Sequence, residues 1–124
     1  MKAFLAALLF ALPGAVLAQP AAPLPVRTQA EIDHLIKYIA ASDCRFNRNG
    51  SWHDMVAARM HVGNKYEYLV QRGQIDSAEA FIEKAASESS LSGVPYQVQC
   101  PGSAPLPSAT WLKSELVRYR KPGS

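Results

Sequence analysis

The chain has 124 residues, 48% of them apolar, and its 13 Lys and Arg against 10 Asp and Glu leave a net charge of +3. That excess is too mild and too scattered to attract nucleic acid or an anionic membrane, so neither partner is expected. The length holds one small domain, which buries a modest share of its surface and profits from a covalent staple.

The first eighteen residues read as a secretory signal peptide. Lys2 supplies a positive start, and residues 3–12 form an apolar run too short to span a bilayer. Pro13-Gly14 breaks that run, and Val16-Leu17-Ala18 has the form of a cleavage site ending at Ala18. No later segment is apolar enough to insert after cleavage, so the expected location is a bacterial periplasm. Residues 19–27, rich in Pro and Ala, read as an extended leader, and residues 28–121 as the globular domain.

The first helix is expected from Thr28, with Thr28 and Glu31 as a capping box. Ile32, Leu35, Ile36 and Ile39 recur at helical spacing, and the helix ends near Ser42. Cys44 to Arg48 alternates as a short strand, and Asn49-Gly50 turns the chain. A second helix is expected to start between Ser51 and Asp54, with Ser51 as its cap. Met55, Val62, Tyr66 and Leu69 share its inner face, and Gly73 stops it. A third helix opens at Asp76 with Glu79 in capping spacing. It buries Phe81 and Ile82, and a serine-rich stretch ends it. Tyr96 to Cys100 is a second strand, residues 101–107 a proline-rich loop, and Ser108 the cap of a fourth helix carrying Leu112 and Leu116. The basic residues Arg118, Arg120 and Lys121 read as complements to that helix's dipole.

The expected fold is therefore mainly α within an α+β class. Four helices surround a two-stranded antiparallel pair, in the order α-β-α-α-β-α. Antiparallel pairing that sets Cys44 opposite Cys100 sets Phe46 opposite Val98 and Arg48 opposite Tyr96. In an oxidising compartment the two cysteines pair as a disulfide. Neither has a second thiol nearby in sequence, as a redox CxxC or a zinc knuckle needs.

The stretches Phe46-Asn47-Arg48-Asn49-Gly50, His61, Ile75-Asp76-Ser77-Ala78-Glu79 and Phe81-Ile82 have a recognisable order and spacing. With Ala86-Ser87-Glu88-Ser89-Ser90 and the run from Ser92 to Val98, they resemble the YfeK-like family of small bacterial envelope proteins. That family carries a domain of unknown function. The resemblance implies an exported small domain and brings no activity, cofactor or catalytic residue.

The candidate site residues are Arg48, Asn49, Ser51, His61 and Tyr96. Arg48-Asn49-Gly50-Ser51 has the parts of an anion-binding nest at a helix start, and equally those of a turn followed by a helix cap. His53 and His61 lie about 80° apart around a helix, poor spacing for a shared metal, so no metal ligand, catalytic residue or cofactor is assigned. Asp76 and Glu79 are better explained as helix-start groups than as an acid–base pair. The expected role is a non-enzymatic module that binds a protein or a cell-wall component. One version is an inhibitor or immunity protein for a cell-wall hydrolase. The rival is a small hydrolase or metal-dependent enzyme using His61 with Asp54 or Glu79.

Overall fold

In the computed structural model the residues described are 22–123, together with 3, 6–11 and 13–14. The expected cleavage site, Val16-Leu17-Ala18, and the first residues of the leader lie outside them.

Helix α1 spans Val26–Ala41 and starts earlier than the capping box implied. Pro25 occupies the cap position, where a missing N–H costs nothing, and its carbonyl accepts the first helical bond from Gln29 N at 3.0 Å. Thr28 thus lies inside the first turn, and Glu31 points inward, 5% exposed, instead of reaching back to a cap. Strand β1 (Arg45–Arg48) and strand β2 (Ser51–His53) form a hairpin around Asn49-Gly50, with Arg48 opposite Ser51. Both turn residues have positive φ, 52° and 83°, as the commonest two-residue hairpin turn requires. Ser51 therefore belongs to a strand and caps no helix. Helix α2 (Met55–Gln71) begins only after Asp54, whose carboxylate accepts the Ala57 N–H at 2.8 Å.

Gly73 does stop α2. At φ 66° it donates to Val70 O, while Gln74 N closes back on Leu69 O. Helix α3 (Ala78–Ala85) is capped by the Ser77 hydroxyl on Ala80 N, not by Asp76. Strand β3 (Gln97–Gln99) pairs with β1 in the expected register, Phe46 opposite Val98. Strand β4 (Leu106–Pro107), inside the presumed loop, adds to the far edge of β3. A proline is tolerated there because an edge strand leaves one side of its backbone unpaired. Helix α4 (Ser108–Arg120) follows at once, with Pro107 rather than Ser108 in the cap position.

The sheet thus has four antiparallel strands in the order β2-β1-β3-β4, where only two were expected. The chain order becomes α-β-β-α-α-β-β-α. Cys44 and Cys100 are joined, with an S–S distance of 2.00 Å and Cα atoms 4.1 Å apart. Ile32, Leu35 and Ile39 of α1, Phe81 and Ile82 of α3, Val98 of β3 and Leu112 of α4 fill the centre. Among the described residues, no helix is long and apolar enough to cross a membrane.

Arg118 and Arg120 do more than complement a helix dipole. Arg118 binds Glu115, which is buried and also takes a 2.7 Å bond from His34 Nε2. Arg120 grips Glu31 of α1 through Nε at 2.5 Å and Nη2 at 3.1 Å, and pairs with Glu79 of α3 through Nη1. One guanidinium therefore ties three helices together.

Candidate functional site

Alternation along β1 puts Phe46 and Arg48 on one face, and α2 crosses over that face. On the α2 side of the space between helix and hairpin stand Ala57 and Ala58. Their small size leaves a pocket of about 50 Å³, with Ile39, Phe46 and Val62 as apolar lining and Arg48, Asn47, His53, His61 and Tyr96 as polar lining. Such a volume holds a few waters or one small apolar group.

His61 links two walls of this pocket. Arg48 Nη1 lies 2.7 Å from His61 Nδ1, and Tyr96 Oη lies 2.9 Å from His61 Nε2. A guanidinium has no acceptor, so it donates to Nδ1. The ring proton therefore sits on Nε2, which donates to the Tyr96 hydroxyl. Lys65, one turn further along α2, donates to Glu88 O at 2.8 Å and to Tyr96 Oη at 3.3 Å. Its ammonium also lies 5.2 Å from the centre of the Tyr96 ring. With two donors on its oxygen, Tyr96 keeps its own proton to offer.

The electrostatics follow from this placement. Burial lowers the pKa of His61, and the charges of Arg48, Lys65 and His53 lower it further. Burial also lowers that of Lys65, against the pull of Glu88, and raises that of Tyr96. His61 is thus a neutral imidazole pinned between a cation and a phenol. Among the described residues, neither Arg48 nor Lys65 has a carboxylate within ion-pairing distance.

Of the residues singled out from sequence, Arg48, His61 and Tyr96 converge in one connected network. Asn49 stands beside it at the hairpin turn, where its amide donates to Ser89 Oγ at 3.3 Å and its carbonyl accepts from Ser92 Oγ at 2.7 Å. These bonds dock the serine-rich loop onto the hairpin. Ser51 is exposed on the edge strand, and no helix begins at it to complete an anion-binding nest. Asp54 caps α2, Glu79 pairs with Arg120, and His61 hydrogen-bonds to neither. Among the described residues, no group of three or more His, Cys, Asp or Glu side chains is placed to hold a metal ion. Lys65 is a member of the network that is not among the candidates read from the sequence. Its spacing of one helical turn from His61 was the available signal.

The family of unknown function DUF5329 matches residues 26–120. The chain belongs to that family. Its matched span runs from the first residue of α1 to the last of α4, so the DUF5329 unit includes the pocket, the disulfide and all four strands. The uncharacterized protein YfeK of Salmonella typhimurium strain LT2 is similar, 39% identical over 69 residues. The alignment covers 55% of this chain and 56% of that protein, so the chain spans little more than half of its relative's length. No solved structure matches the chain.

Proposed function

We propose that this DUF5329 protein is an exported, non-enzymatic binding module that engages a protein or envelope component through Arg48, Asn49, His61 and Tyr96. One observation carries the reading. Strand β1, helix α2 and the loop entering β3 bring Arg48, His61, Lys65 and Tyr96 into one hydrogen-bonded network at a pocket, and among the described residues its two cations lack carboxylate partners within ion-pairing distance. A partly buried cation is ordinarily compensated within the fold, as Arg120 is compensated here by Glu31 and Glu79.

Hydrolytic use of His61 is less well supported. A general base is made stronger by a carboxylate behind its second nitrogen. His61 has Arg48 in that position, which weakens it. Export is supported by the signal-like residues 1–18 and by the Cys44–Cys100 bridge, a bond favoured in oxidising compartments. The test is affinity capture from a bacterial envelope extract with wild type and with Arg48→Ala. A partner held by wild type and released by the variant is the expected result. Equal recovery by both proteins, or no recovery across several growth conditions, overturns the reading.

A further inference from the structure

We propose that the pocket between β1 and α2 takes a carboxylate borne on a short branched apolar group, with the carboxylate on Arg48 and the apolar group against Phe46, Ala57 and Val62. This rests on the reading of the site given above and names its ligand chemistry.

Two features on opposite sides of the same pocket carry the proposal. On one side the donors outnumber the acceptors. Arg48 uses one N–H on His61 and keeps the others, and Tyr96 accepts twice and retains a proton to donate. An oxyanion is the complement of that set, and a planar carboxylate matches the guanidinium fork. On the other side the lining is apolar and the space is small, about 50 Å³. A bare phosphate would leave that lining facing water, whereas about two carbons of a short branched group would fill this much room, on the scale of a ~150 Å³ cavity that holds benzene, with the rest of the group at the mouth. The network between the two sides is rigid. His61 is held at both ring nitrogens and Lys65 is tied to Glu88 O, so little ordering remains to be done when a ligand arrives.

The same chemistry is offered by the C-terminus of a peptide ending in Leu or Val and by a free branched acid. The experiment is an amide-resolved NMR titration of the purified protein with isovalerate, isovaleramide, inorganic phosphate and a leucine-terminated tripeptide, free and amidated. Isovalerate or the free tripeptide should perturb the amides around Arg48, His61 and Tyr96, while both amides and phosphate leave them unmoved. Tighter binding of the tripeptide assigns a chain terminus; equal or tighter binding of isovalerate assigns a free acid. Arg48→Met should weaken binding about tenfold or more, the scale of a lost charge-assisted pair. Ala57→Leu keeps a helix-favouring residue at an exposed position, so the fold is retained while the pocket is filled, and it should weaken binding similarly.

Equal binding of isovaleramide, or of phosphate, overturns the proposal, because charge and apolar body would not then both be required. Silence from every probe overturns it too. The broader binding reading fails separately: a partner released by Arg48→Ala but held by Ala57→Leu would sink the carboxylate pocket and leave that reading standing.

Discussion

Arg120→Met removes the guanidinium that joins α4 to α1 and α3 while keeping most of the side chain's apolar length. Glu31 loses both bonds to Nε and Nη2, and its side chain is 6% exposed. Breaking a fully buried pair by deleting one partner costs about 3–5 kcal/mol, because the other charge stays buried. Arg120 itself is 34% exposed, so water reaches this pair and screens it. A loss of about 2 kcal/mol follows, or a drop in Tm of about 10 °C for a domain of this size. The bonds to Arg120 are the main cause that holds the carboxyls of Glu31 and Glu79 below their usual range. A depressed carboxyl contributes stability above its unfolded pKa, about 4.3, and that contribution is lost as pH falls through the folded value. In the variant the sign reverses for Glu31, since burial alone disfavours its charge. Urea melts at pH 7 and pH 4 should therefore show a gap between wild type and Arg120→Met that narrows in acid. Adding Glu31→Gln to the variant should recover much of the loss at pH 7. A gap that is unchanged at pH 4, or a double variant no better than the single, would refute the assignment of this junction as a buried, compensated charge.

Three further outcomes are expected. Replacing Cys44 and Cys100 together by Ser should cost about 4 kcal/mol in urea unfolding, the chain-entropy value for a bridge spanning 56 residues. His61, whose pKa is depressed chiefly by burial, adds stability that is present above about pH 6.5 and lost as pH falls through its folded value. Wild type should accordingly melt lower at pH 5.5 than at pH 7.5 by a margin that His61→Gln removes. Asn49→Ala cuts the loop's bonds to Ser89 and Ser92, so hydrogen exchange should quicken across residues 88–94 while global stability falls by about 1 kcal/mol or less.

The parts of the fold legible in the sequence are those that rest on local or strictly periodic rules. The β1–β3 register followed from alternation, because Phe46 and Val98 are apolar at matching positions and a one-residue slip would expose both. Gly73 was legible as a stop because few other residues tolerate its φ. Strand β2 was missed although Asn49-Gly50 is a strong hairpin signal. Ser51 and Asp54 both suit a helix cap, and the more distant of the two proved to be it. Strand β4 is two residues long and contains a proline, so no periodicity could reveal it. Arg120's partners lie 89 and 41 residues away, a pairing that tertiary packing alone decides. In the site, alternation along β1 put Arg48 on the face of Phe46, whereas Tyr96, expected opposite it within the strand, lies just before β3, whose pairing with β1 ends at Asn47 opposite Gln97. The meeting of Arg48 and Tyr96 with His61 depends on how α2 crosses the hairpin, which the small residues Ala57 and Ala58 permit but do not announce.

The two arginine systems of this molecule argue from opposite sides about what the fold needs. Arg120 and Arg118 each meet a buried carboxylate: Arg120 joins α4 to α1 and α3, while Arg118 neutralises Glu115 on its own helix, and Glu115 reaches α1 through His34. Arg48 meets only a neutral imidazole, and the nearby Lys65 meets only a carbonyl and a phenol. Neutral acceptors satisfy hydrogen bonds without cancelling charge, so positive potential survives at the pocket. Packing alone would favour an uncharged residue at position 48, which shares its strand face with Phe46 and lines a pocket that also holds Ile39 and Val62. The arrangement makes physical sense when the missing negative charge arrives from outside. His61 then serves as the spacer that holds Arg48 and Tyr96 apart at a fixed distance, ready for it.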